Sequence, residues 1–266
     1  MLNKSPVRKA TLITLVIALL TFQPLATHAL TSSEAKQAWH EAKQASRDAQ
    51  EAHRQANISW AADKTEANNQ KVIDTGKDAL MAALDEAEAW LIWRQLEVEE
   101  NPDIPQELKQ RIQDDVETNL AKIDDLRTEV NEVENRLQLA IAFLKMVGKY
   151  LELVADVARN TGLIWVHVAN TYADTLEEYA EQLREAAQAL EGTQEVLDKL
   201  DEVAEDLQAA RTSIASAEQE YLEVVVPGSP ILSFMNGNQH LRTAKNHMLS
   251  AHSSLRQAYR LLAGAS

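Results

Sequence analysis

Imidazole is the side chain best suited to chemistry in this sequence, and three of the seven histidines crowd one stretch: His240, His247 and His252. A neutral imidazole ligates metals and moves protons near neutral pH. His240 and His247 stand two helical turns apart, ~10 Å along an axis, too far to share one ion, and His252 falls on another face. Helical bundles that hold di-iron or di-manganese centres use Glu-x-x-His pairs. No histidine here has a glutamate three residues before it, and the chain has no cysteine for a thiolate cluster or nucleophile. Ser33-Glu34-Ala35-Lys36 fits a Ser-x-x-Lys pattern but lacks the partner motifs that make it a nucleophile site. The doublets Asp114-Asp115 and Asp124-Asp125 are expected on a solvated helix face, not in a catalytic carboxylate pair. Phosphate-binding glycine loops, His-Glu-x-x-His and Gly-x-Ser-x-Gly are absent. No cofactor, no metal and no enzymatic activity are therefore expected.

One window stands apart. Residues 163–172, LIWVHVANTY, are apolar nearly all round a helix, so burial on more than one side is expected. His167, Asn170 and Thr171 inside it need partners if buried. Trp165, His167, Asn170 and Tyr172 are the candidate contacts for a ligand or a protein partner. Asn57-Ile58-Ser59 is a glycosylation sequon, expected in a loop.

The elements that would carry these residues are helices. Between residues 116 and 158 an apolar residue recurs every three, then every four positions, from Val116 through Ile123, Leu126, Val130, Val133, Leu137, Leu144 and Leu151 to Ala158. Only Asn119 breaks the series, and a polar residue at such a position sets register. This 3.5-residue repeat marks a helix packed on other helices. Proline is absent between Gln106 and Val226, so the third helix is read as running from the Asn101–Pro105 turn to about Arg159. Its roughly 55 residues would span ~83 Å, against ~45 Å for a compact globule of this length. The seam shifts by one residue near Asn160-Thr161-Gly162, which predicts either a chain reversal at Gly162 or one helix with a four-residue stutter. Asn-Thr-Gly is helix-stop chemistry and favours the reversal.

Five other helices complete the reading. The first, about 33–57, is written in near-literal heptads with alanine at every seam position: Ala35, Ala38, Ala42, Ala45, Ala49, Ala52 and Ala56. The second opens at the cap Thr65 and ends near Glu99. A fourth carries Val166, Ala169, Ala173, Leu176, Ala180, Leu183 and Ala187. Gly192 and the cap Thr193 open a fifth with the unbroken seam Val196, Leu200, Val203, Leu207, Ala210, Ile214, Ala217, Tyr221 and Val224. Ser229-Pro230 opens the last. The fold class is all-α: an elongated antiparallel helical bundle with coiled-coil (heptad) packing and about six helices. The seams resemble those of coiled-coil envelope proteins, an architectural likeness that carries no residue roles.

The N-terminus sets the location. Lys4, Arg8 and Lys9 precede an uncharged apolar stretch, 10–22, and Thr27-His28-Ala29 offers small residues for cleavage near Ala29. Residues 1–29 are thus a signal peptide, or an anchor if kept, and 30–266 one elongated helical-bundle domain of an exported protein. Removing those three basic residues takes the formal charge from −15 to −18, which disfavours nucleic acid. The leading functional reading is a non-catalytic structural or interaction module of the cell envelope, with a protein partner or self-association. The alternative is a membrane-active protein that inserts residues 137–172 after a conformational change.

Overall fold

The structure, a computed structural model, describes residues 30–265; the leader assigned to residues 1–29 lies outside them. Six helices follow one another through short turns: α1 (Ser32–Ala62), α2 (Glu66–Glu99), α3 (Gln106–Asn131), α4 (Arg136–Gln188), α5 (Gln194–Leu222) and α6 (Pro230–Ala265). The all-α bundle holds, with six helices and one of 53 residues, but that long helix is not the expected one.

The correction lies at residues 132–135. The seam from 116 to 158 is two helices in phase, α3 and the first half of α4, because a 3.5-residue repeat survives a break whenever both helices keep the same offset. Asn135 caps α4, its side chain accepting from the Gln138 backbone N–H at 3.0 Å, while Gln138 accepts from the Glu134 N–H at 2.7 Å. The end of α3 is closed from a distance: Lys77 Nζ on α2 donates to the carbonyls of Asn131 (2.8 Å) and Val133 (3.2 Å).

No reversal occurs at Gly162, where α4 runs straight on and the stutter is the correct alternative. Gly162 is there because an aromatic ring lies on it. A Cβ built at Gly162 would sit 2.6 Å from Tyr221 Cε1 and closer still to Cγ and Cδ1, while one at Gly237 on α6 would meet the same ring at 2.6 Å. Tyr221 on α5 is thus clasped between glycines of two helices, fully buried, with its hydroxyl donating to Asn238 Oδ1 at 2.8 Å. Burial pushes its phenol up to about 12.

The phase shift marks a change of partners along α4. Its first half joins α2 and α3 around Leu84, Leu91, Val116, Ile123, Leu139 and Leu153. Its second half joins α5 and α6 around Val166, Leu176, Leu200, Leu207, Ile214, Ala244 and Ala251. Contacts at two levels give the antiparallel sense: Arg127 meets Asp85 and Glu88 while Lys77 reaches the end of α3, and Arg211 meets Asp174 while Arg184 meets Asp201 between α5 and α4. The α5 seam is buried at every expected position. Thr65 caps α2 as expected, accepting from Asn68 N at 3.3 Å. Thr193 sits at the α5 N-cap position, but its hydroxyl donates back to the Ala187 carbonyl at 2.7 Å and so closes α4 instead.

The backbone of α1 lies close to that of α2 alone among the helices, and its buried face differs from the all-alanine seam. Ala35 and Ala56 are buried and Ala42 and Ala49 half-buried, but Ala38, Ala45 and Ala52 are exposed; Trp39, Ser46, His53 and Trp60 take their place. Two stripes share the first set of alanines, and the one with larger side chains removes more apolar area from water. Trp39 stacks on Trp93 of α2 at 4.9 Å, and Ser32 donates to the Glu100 carboxylate at the hairpin's open end.

Candidate functional site

The first half of α4 has two apolar faces, and only one is used. Leu139, Ala142 and Leu153, with half-buried Met146, point at α2 and α3. The seam residues Leu137, Ala140, Leu144, Val147, Leu151 and Val154 lie on roughly the opposite side of the helix, by their 3.6-residue spacing, and are exposed. Leu137 is 72% and Leu144 67% exposed. The seam expected to be buried is thus buried in α3 and bare in α4. Ile141, Phe143 and Tyr150, all exposed, widen the bare band. Two charges of this stretch turn aside to α3, Lys145 to Glu129 at 2.8 Å and Glu152 to Lys122 at 3.1 Å, while Lys149 pairs with Glu152 on α4 itself at 3.1 Å.

Beside this ridge runs a groove. Because the α1 backbone lies close to that of α2 alone, α1 and α4 stand apart above it, and the space holds two clefts of about 420 and 560 Å³. Trp39, Ser46, Gln50 and His53 of α1 form one wall, Phe143, Met146, Val147 and Tyr150 of α4 the other, and Ala83 of α2 the floor. At one end the Arg136 guanidinium sits 3.7 Å over the Trp60 ring.

Asn57 belongs to this groove, not to a loop. It lies inside α1, half-buried, and its Nδ2 donates to the His53 carbonyl at 3.0 Å and to His53 Nε2 at 2.9 Å. An amide N–H can only donate, so Nε2 accepts and the ring is neutral, with Nδ1 facing Thr75 Oγ1 at 3.3 Å. Burial lowers the His53 pKa below 6.5, and the Arg136 charge adds to it against a hydrogen bond with the Val72 backbone.

The window at 163–172 is buried on two sides and open on a third. Leu163 and Val166 enter the α5–α6 core and Ile164 packs on the α2–α3 core, the burial on more than one side that was expected, while Trp165, Val168 and Tyr172 are exposed. Its candidate residues reach different elements. Trp165 lies against Phe234 of α6 with centroids 6.0 Å apart; His167 Nε2 stands 2.8 Å from the Asp103 carbonyl in the α2–α3 turn. Tyr172 Oη lies 3.3 Å from His252 Nδ1, and Asn170 is half-buried. They tie α4 to its neighbours at separate points and do not converge.

Asn119 sits in a polar cluster between α3 and α4. Only 1% exposed, it donates to the Asp115 carbonyl at 2.9 Å and to Asp156 at 3.0 Å across the interface. Arg159 bridges Asp115 and Asp156, each at 2.8 Å, and Asn160 donates to Asp115 at 3.1 Å. Burial opposes the charge on Arg159, but the two carboxylates outweigh it and hold its pKa above the ordinary value. Asp115 is therefore part of the helix contact and not of a solvated face. Of the C-terminal histidines, His247 faces Asp206 at 3.4 Å and His252 faces Tyr172. Among the described residues no three histidines or carboxylates stand close enough to hold a metal ion. Comparison with protein-family models, curated proteins and solved structures finds no match to this chain.

Proposed function

We propose that this chain is an exported, non-catalytic helical-bundle protein that works through its surface as a structural or interaction module of the cell envelope. The observation that carries the reading is the bare apolar band of α4 beside an apolar groove. Its large side chains, about half exposed at up to ~200 Å² each, amount to roughly 800 Å², whereas the largest patch on a typical monomer is ~300–600 Å². Water contact over such an area is costly unless something covers it. Export rests on the basic, apolar and small-residue order of residues 1–29.

A single fusion tests both parts. Alkaline phosphatase joined behind the full chain is active only outside the cytoplasm, and fractionation then reports retention in the envelope. Activity and retention are expected, with retention reduced in Leu144→Glu/Leu151→Glu. An inactive fusion removes the export, and retention unchanged by the glutamates removes the role of α4.

The same band gives substance to the second reading, a membrane-active protein acting through residues 137–172. No helix among the described residues is long and apolar enough to cross a membrane, so this reading requires a rearranged state. Dye release from vesicles, tested across pH and lipid composition and abolished by the two glutamates, is its expected signature.

A further inference from the structure

We infer that the bare face of α4 is covered by the same face of a second copy of this chain, antiparallel across a two-fold axis at the level of residues 145–146. The inference rests on the interaction reading above and supplies its partner. Three features commit it to a second copy.

The first is the spacing of sizes along the seam. Leucine stands at 137, 144 and 151, and the smaller Ala140, Val147 and Val154 alternate with it. A two-fold between residues 145 and 146 sets Leu137 against the second copy's Val154, Ala140 against its Leu151 and Leu144 against its Val147. All three pairs share one midpoint, so every large residue meets a small one in the same operation. That is how facing layers interdigitate in antiparallel helix pairs.

The second is the flanks. On one side Phe143 comes within about 3 Å in height of the second copy's Tyr150, an aromatic pair. On the other, Ile141 comes equally near its Gly148 in height. A Cβ at Gly148 would touch nothing within 4 Å, so no neighbour in this chain explains an exposed glycine mid-helix. A neighbour across the axis fills that space. The same patch meets itself in this arrangement, as an isologous interface requires.

The third is area and charge. Roughly 800 Å² per copy is the standard size of a stable interface. The seam itself is free of charge, since Lys145 and Glu152 are already engaged by α3. Each copy nonetheless carries a formal −15, so long-range repulsion opposes pairing and added salt strengthens it.

The test is sedimentation equilibrium of the full chain beside Leu144→Glu/Leu151→Glu. Both leucines are exposed, so far-UV circular dichroism stays unchanged, and residues 1–29 are common to both proteins. A wild-type dimer at micromolar concentration, weakened by about 100-fold or more in the variant and tightened by salt, is expected. The chain has no native cysteine, so Leu137→Cys and Val154→Cys report direction. Mixed, they form a disulfide-linked dimer; singly, neither does. A wild-type monomer at 100 µM, a dimer indifferent to the glutamates, or self-linking of each single cysteine variant overturns the inference. So does a monomer that binds phosphatidylglycerol vesicles through the same leucines. A monomer whose envelope retention is still lost with the glutamates overturns the pairing and leaves the interaction reading standing.

Discussion

Replacing Gly162 by alanine separates helix propensity from packing inside one helix. In an open helix interior the change gains about 0.5–1 kcal/mol, because alanine loses less backbone freedom on folding than glycine. At Gly162 the added methyl enters the Tyr221 ring, where its distance to Cε1 would be 2.6 Å against an optimum of ~3.5–4.0 Å. The ring cannot retreat, since Gly237 backs it and Asn238 holds its hydroxyl. Overpacking of this kind costs about 1–3 kcal/mol, and expelling a buried aromatic about 3–5 kcal/mol. The net expectation is a loss of roughly 1–3 kcal/mol, or a melting temperature lower by about 2–12 °C at about 2–4 °C per kcal/mol for a chain of this size. Gly148→Ala, on the bare side of the same helix, provides the opposite sign: a gain of about 0.5–1 kcal/mol in the monomer. Urea unfolding of the two variants, and of Gly162→Ala in a Tyr221→Leu background, completes the measurement. With the ring gone, the penalty at Gly162 is relieved and the coupling between the two sites reaches about 1–3 kcal/mol. A Gly162→Ala protein as stable as wild type, or one whose loss is the same in both backgrounds, refutes the packing argument.

Three further outcomes follow from the polar and backbone details. Asn119→Ala strips the buried partner of Asp156 and is expected to lower unfolding free energy by about 1–3 kcal/mol, read by urea titration. His53 is held below 6.5 in the fold, so the unfolded chain takes the proton first. Stability is therefore full above pH 6.5 and falls as pH drops from there toward the folded pKa; a urea midpoint followed from pH 8 to 5 declines in wild type and flattens in His53→Gln. Gly192 has φ +76° with open space around it, so Gly192→Ala meets only backbone strain, about 1–2 kcal/mol, measurable as a lower melting temperature.

What the residues announced was mostly what one helix decides for itself. The α5 seam, the Thr65 cap, the Asn101–Pro105 turn and the proline opening α6 all depend on neighbours within a turn or two. The α3–α4 break was harder to read. Its local sign, Asn135 with Gln138 three residues on, is a capping pair hidden inside an unbroken periodicity, and its other half, Lys77, comes from α2. Gly162 misled because the conformation that suits a helix stop and the bare surface that accepts a ring need the same residue. Only Tyr221, far along the chain, decides between them. The bare face of α4 was hidden for a related reason: a heptad repeat specifies a surface that wants a partner and does not say whether this chain supplies one. In α1, two stripes of equal regularity shared half their alanines, and Trp39 and Trp60 decided the outcome.

The continuity of α4 has one more consequence. A rod that is built into the α2–α3 core at one end and the α5–α6 core at the other leaves no hinge between them: there is no proline between Arg136 and Gln188 and no loop to absorb a rotation. Relative motion of the two cores must be taken up by bending or twisting of the helix itself, which spreads a small deformation over many residues. Whatever engages residues 137–154 therefore grips one end of a beam whose other end is clamped, and a load applied at one core arrives undivided at the other.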